Sequence, residues 1–129
     1  MQTITTWKSG KAFTSQYKES QIEIDGDGFS PKALLLTGLA GCTGIDVESL
    51  LEKMRVPFGS MEITATTETT EEHPKVFKAI HLVYKIKTGE ENRDKVKKAI
   101  DLSLEKYCGV AAMLQKNSAI DYTIELISE

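Results

Sequence analysis

Apolar and polar positions repeat with two periods along this chain, and the switches between them mark out its elements. Thr3 to Lys8 and Ala12 to Lys18 are short runs rich in β-branched and aromatic residues, separated by Ser9-Gly10-Lys11, which predicts a hairpin. Gln21 to Asp25 sets Ile22 and Ile24 between polar neighbours and predicts a third strand, closing a meander at the Gly26-Asp27-Gly28 turn. Ser30-Pro31 then puts a capping hydroxyl ahead of a proline suited to the first helical position. The helix so begun is expected to run to about Arg55, with Lys53 and Arg55 in its last turn and Pro57 barring continuation. From Leu34 to Ile45 it is apolar or small all round, and further charges appear only from Asp46 onward. A helix without a polar face must be enclosed on every side.

Period two returns in Ser60 to Thr69, with Met61, Ile63 and Ala65 on one face, and in Lys75 to Lys87, with Ile80, Leu82, Tyr84 and Ile86 opposite His81, Val83, Lys85 and Lys87. The two strands should pair through the Glu71 to Pro74 turn. Thr88-Gly89-Glu90-Glu91 has capping-box spacing. Val96, Ile100, Leu104, Tyr107 and Ala111 follow at helical spacing, and Gly109 is expected to divide the segment into two helices ending near Lys116. A last strand, Ala119 to Ile127, points Ile120, Tyr122, Ile124 and Leu126 inward. The order is β(3)-α-β(2)-α(2)-β, an α+β arrangement. At 129 residues it suits a single domain, residues 1–129. So short a chain has difficulty enclosing an all-round apolar helix alone, which points to a homodimer.

Composition narrows the function classes. Hydrophobic residues at 40% and charged residues at 27% are those of a folded globular chain. A net charge of −3 lacks the basic surplus that displaces counterions from phosphates, so nucleic acid is not an expected partner. The charge-free apolar stretch Ala33 to Ile45 is shorter than the roughly 20 residues of a bilayer span. Met1 to Lys8 carries no export-signal pattern, so the expected location is cytoplasmic, with both cysteines held as thiols.

Cys42 lies in Gly38-Leu39-Ala40-Gly41-Cys42-Thr43-Gly44, and each helical glycine costs about 1 kcal/mol relative to alanine. Small residues three apart let another backbone approach and leave room around a sulfur. Cys42 is thus either a packed core thiol or a reactive one, which would need a cation or hydrogen-bond donor from elsewhere, since it lies about three turns from the helix N-terminus. Cys108, in Leu104-Glu105-Lys106-Tyr107-Cys108-Gly109, is either core filler or a partner thiol. No metal site is expected: His73, His81 and the cysteines have no C-x-x-C or H-x-x-x-H spacing, and Asp25-Gly26-Asp27-Gly28 lacks the remaining calcium ligands and reads as a turn. Ser30, Ser49 and Ser103 lack a nucleophile elbow, no phosphate-binding glycine loop is present, and no cofactor is implied.

Ser30-Pro31-Lys32-Ala33-Leu34-Leu35-Leu36 leading into Ala40-Gly41-Cys42-Thr43, His73-Pro74-Lys75-Val76-Phe77 ahead of an alternating strand, and Ala99 to Ser103 through Tyr107-Cys108 together resemble the OsmC/Ohr family of stress-related thiol proteins. The resemblance implies an interlocked, strand-swapped homodimer around buried central helices. It also implies that Cys42 attacks an organic hydroperoxide and Cys108 resolves the sulfenic acid as a disulfide, which a dithiol reductant reopens. The peroxidases of that family also use an arginine from the N-terminal strands and a glutamate early in the central helix. Here no arginine precedes Arg55, and Lys32 and Ala33 follow the Ser-Pro pair, so the chain looks closer to a less characterised OsmC-like branch. Lys8, Lys11 or Lys18 are the available substitutes for the cation, and Asp46, one turn beyond Cys42, would oppose a thiolate if close. The alternative reading is a non-catalytic OsmC-like dimer acting as a redox sensor or binding a small apolar ligand.

Overall fold

The computed structural model describes residues 1–128. Its elements run β1 (Ile4–Ser9), β2 (Ala12–Tyr17), β3 (Ser20–Asp25), α1 (Pro31–Lys53), β4 (Met61–Thr69), β5 (Phe77–Lys87), a 3₁₀ turn (Glu90–Asn92), α2 (Arg93–Leu102), a π-helical turn (Ser103–Tyr107), α3 (Gly109–Gln115) and β6 (Ala119–Ile127). This is the expected α+β order. The chain separates into two compact units, Met1–Leu36 and Thr37–Glu129.

In the first unit β1, β2 and β3 form an antiparallel meander in that order. Gly10, at a φ of 50°, makes the first turn, a conformation that costs glycine nothing. At the second turn the Asp25 carboxylate accepts from the Asp27 N–H at 2.9 Å, and the backbone of Gly28 donates to Asp25 O at 3.1 Å, so the acidic loop closes on itself as a turn. Ser30 caps α1 as its position predicts, its hydroxyl accepting from the Ala33 N–H at 3.2 Å.

In the second unit β5 is the middle strand, antiparallel to β4 and parallel to β6. Ile80, Leu82, Tyr84 and Ile86 of β5 are buried, joined by Leu39, Val47 and Leu51 of α1 and by Val96, Ala99 and Ile100 of α2. The buried positions of α1 are Leu39, Thr43, Val47 and Leu51, one stripe at four-residue spacing. Among the described residues this helix therefore lacks the all-round enclosure expected of it: Leu35 is 50% and Ile45 70% exposed. By length and composition α1 also passes the test for a bilayer span that the shorter stretch Ala33 to Ile45 does not, although core helices pass it equally.

Two local expectations are corrected. Arg55 is not in the last helical turn but just past it, at a φ of 59°; its N–H bonds Glu52 O at 3.0 Å and that of Val56 bonds Leu51 O at 2.9 Å, a Schellman ending usually made with glycine. The capping box at Thr88 does not form. Its hydroxyl donates to Pro57 O at 2.8 Å and accepts from Asn92 Nδ2 at 3.0 Å, so a tertiary carbonyl has taken the group that a local cap would use.

Candidate active site

α1 sets Cys42 and Asp46 one turn apart, beside its buried stripe. Cys108 reaches the same place through an irregularity. After α2 the backbone widens into the π turn, with the Cys108 N–H bonded to Ser103 O at 2.7 Å, and then Cys108 itself becomes extended, at φ −77° and ψ 102°. It thereby caps α3, its sulfur accepting from the Ala111 N–H at 3.3 Å. The break between helices falls at Cys108, with Gly109 the first residue of α3, because a side-chain cap rather than glycine flexibility starts the new helix.

The result is a cluster in which Cys42 Sγ, Cys108 Sγ and a carboxylate oxygen of Asp46 lie within 4.8 Å of one another. Both cysteines are free, Cys42 partly exposed and Cys108 buried at 3% exposure. Burial pushes the Cys108 thiol up to about 11, helped by its hydrogen bond to the Cys42 sulfur and by the nearby Asp46 charge, and opposed by the Ala111 N–H. A disulfide needs about 2.0 Å between sulfurs, so the two would have to draw closer to join.

Behind the thiols runs a chain of buried hydroxyls that the sequence reading did not assign. Tyr84 Oη lies 2.8 Å from Thr43 Oγ1, which lies 2.8 Å from Ser103 Oγ, and Ser103 donates to Asp46 Oδ2 at 3.0 Å. Tyr84, Thr43 and Ser103 are fully buried. An ionised carboxylate only accepts, so the Ser103 proton goes to Asp46. Thr43 must then donate to Ser103 and Tyr84 to Thr43, giving the chain one direction. Burial drives the Tyr84 phenol well above its ordinary value, which keeps it a donor. Asp46 also lines a depression of about 310 Å³ with Ser49, Leu50, Lys53 and Tyr107.

The other candidates have local partners or face solvent. His81 Nδ1 pairs with Asp121 Oδ1 at 2.7 Å and its Nε2 with Thr123 Oγ1 at 3.0 Å, on the exposed face of the sheet. His73 is exposed in the β4–β5 turn. Lys8 pairs with Glu23 at 2.9 Å, Lys11 with Asp27 at 3.7 Å, and Lys18 lies over the Tyr17 ring, so each has a partner within the meander. Lys32 is exposed in the first turn of α1. Ser49 sits at the depression, whereas Ser103 serves as a link in the hydroxyl chain.

A three-stranded mixed sheet backed by helices, with two thiols brought together from its long helix and a late helix junction, defines an α+β dithiol protein. The profile of the family described as OsmC-like protein matches residues 24–123, and the chain belongs to that family. Protein YhfA of Escherichia coli K12 is 37% identical, with 99% of both chains covered. Among solved structures, an OsmC-like protein from Mycoplasma pneumoniae superposes with a TM-score of 0.86 at 19% identity, over 98% of this chain and 96% of that one. The organic hydroperoxide resistance protein OhrB of Bacillus subtilis superposes at 0.62 and 19% identity, over 98% of each chain. At these identities the structures speak for the fold, which is OsmC-like.

Proposed function

We propose that this protein is a cytoplasmic, homodimeric thiol redox protein that reduces organic hydroperoxides through Cys42 and Cys108. The observation that carries the reading is the meeting of two free sulfurs, 66 residues apart in the chain, within 4.8 Å. Family membership, with hydroperoxide resistance proteins among its structural neighbours, supports the substrate class.

Cys42, the more exposed thiol, attacks the terminal peroxide oxygen as thiolate. A sulfur–oxygen bond forms, the O–O bond breaks, and the alcohol leaves with one proton. Cys108 then attacks the sulfenic sulfur. The disulfide forms, water leaves with the Cys108 proton, and a dithiol reductant restores both thiols by exchange. Burial of Cys108 suits the second role, because a thiol held protonated does not compete for the peroxide.

A second reading is favoured by Asp46, a carboxylate rather than a cation beside the thiols, and by Lys32 and Ala33 standing where a glutamate is expected. On that reading the pair is a slow redox sensor or core feature of a dimer that binds a small apolar ligand.

Counting free thiols while reduced protein meets cumene hydroperoxide separates the two. Rapid loss of both thiols in the parent, and a dimedone-reactive Cys42 after one turnover in Cys108→Ser, are expected. Slow loss, equal for hydrogen peroxide and cumene hydroperoxide, with no dimedone adduct, would establish the second reading.

A further inference from the structure

The peroxide chemistry gives Asp46 no part, although its carboxylate lies within 4.8 Å of both sulfurs. A dication would give it one, since beside such an ion thiols ionise and a carboxylate becomes a ligand. Two thiols and a carboxylate are also donors that zinc takes, and they converge here within 4.8 Å.

We propose that the reduced protein binds one borderline-soft divalent cation of the zinc class through Cys42, Cys108 and Asp46, with the fourth position open. Spacing along the sequence conceals the site, because only two ligands share an element and the third arrives from the junction before α3.

The surroundings fit the demands of such a centre. Ser103 donates to one Asp46 oxygen at 3.0 Å, which orients the carboxylate. Ser103 is itself held by Thr43, and Thr43 by Tyr84, so the orienting hydrogen bond is backed by buried structure. The Ala111 N–H on Cys108 Sγ favours the thiolate form of that ligand. Asp46 lines a depression with Ser49 and Lys53, so the carboxylate ligand is reached from solvent there, and Lys53 supplies positive charge near a centre of net charge −1. That charge follows from the balance: a dication replaces two thiol protons and joins one carboxylate, releasing two protons per ion. A bound ion would occupy both sulfurs and withhold them from oxidants. The inference concerns the same thiols as the redox reading but does not depend on it, since metal binding and peroxide turnover are measured separately.

The test is anaerobic titration of reduced, metal-free full-length protein with Co²⁺, followed by displacement with Zn²⁺. The expected result is saturation at one ion per chain with a thiolate-to-cobalt charge-transfer band, two protons released, displacement by Zn²⁺ and indifference to Mg²⁺. Asp46→Asn, which keeps the shape of the side chain, should weaken binding about tenfold or more, and Cys42→Ser or Cys108→Ser should weaken the band. If Asp46→Asn fails to fold, Ser103→Ala leaves all three ligands and should still cost about tenfold. Absence of the band in the parent protein overturns the proposal. So does unchanged affinity in Asp46→Asn, which would mark ordinary thiol scavenging.

Discussion

Thr43 lies in an apolar stripe with no solvent exposure, and its hydroxyl is bonded on both sides, to Tyr84 and to Ser103. Thr43→Val keeps the shape of the side chain but leaves the Tyr84 proton without an acceptor and Ser103 without a donor. Unsatisfied buried groups of this kind cost about 1–3 kcal/mol. Urea unfolding should show a loss of that size; an unchanged midpoint would mean that water or a rotated hydroxyl replaces the bond. A trace of this network is legible in the sequence, because Thr43 interrupts the run Leu39, Val47, Leu51 and Ser103 continues the stripe of Val96 and Ala99. A polar residue on an apolar stripe asks for a partner. Which partner it finds depends on how α1 crosses β5 and α2, and periodicity carries no such information. Asp46 was legible only as a neighbour of Cys42, whereas its bond to Ser103 depends on the fold.

At the scale of elements, the strands were the most readable, because alternation reports directly which face is buried: β4 alternates partly buried and exposed positions from Met61 to Thr66, and β6 does so throughout. What could not be read were the helix junctions. The π turn that delivers Cys108 has no composition signal, and Thr88 abandoned its cap for a carbonyl 31 residues away. A polar contact between α2 and β6 carries a pH dependence. Tyr122 donates to Asp101 at 2.5 Å and Lys97 bonds the other oxygen at 2.8 Å. Burial, the largest single influence, raises the Asp101 carboxyl, but the two hydrogen bonds together hold it below its ordinary value. A depressed carboxylate contributes stability above its unfolded value, near pH 4, and loses it as pH falls through the folded value. Asp101→Asn should therefore lower stability by about 1 kcal/mol at neutral pH, the figure being held down by partial exposure. The difference from the parent should shrink below pH 4 in parallel urea titrations. A pH-independent difference would assign the loss to packing.

For the whole molecule, the decisive matter is what covers α1. Beside the buried stripe lies a groove of about 560 Å³ lined by Thr37, Ala40, Gly41, Gly44, Ile45 and Glu48 with Met61 and Ile63 of β4. In the meander Ile4, Trp7 and Ile22 are each at least half exposed. The glycines of α1 divide by what surrounds them. A Cβ on Gly44 would meet Ile63 Cδ1 at 3.1 Å, so packing within the chain accounts for that residue. A Cβ on Gly38 or Gly41 would meet nothing within 4 Å, so among the described residues no close approach asks for glycine at either. Alanine at an open helical position stabilises by about 1 kcal/mol over glycine. If the chain works alone, Gly41→Ala must therefore raise its stability by that amount. If a second copy lays its backbone along the groove, the same methyl intrudes at the contact, and the variant should associate more weakly and unfold earlier. The homodimer reading requires this second outcome, together with a dimer mass for the parent protein by light scattering and a melting temperature that rises with protein concentration. A stabilised Gly41→Ala variant of a monomeric parent would show that α1 carries its open face in water.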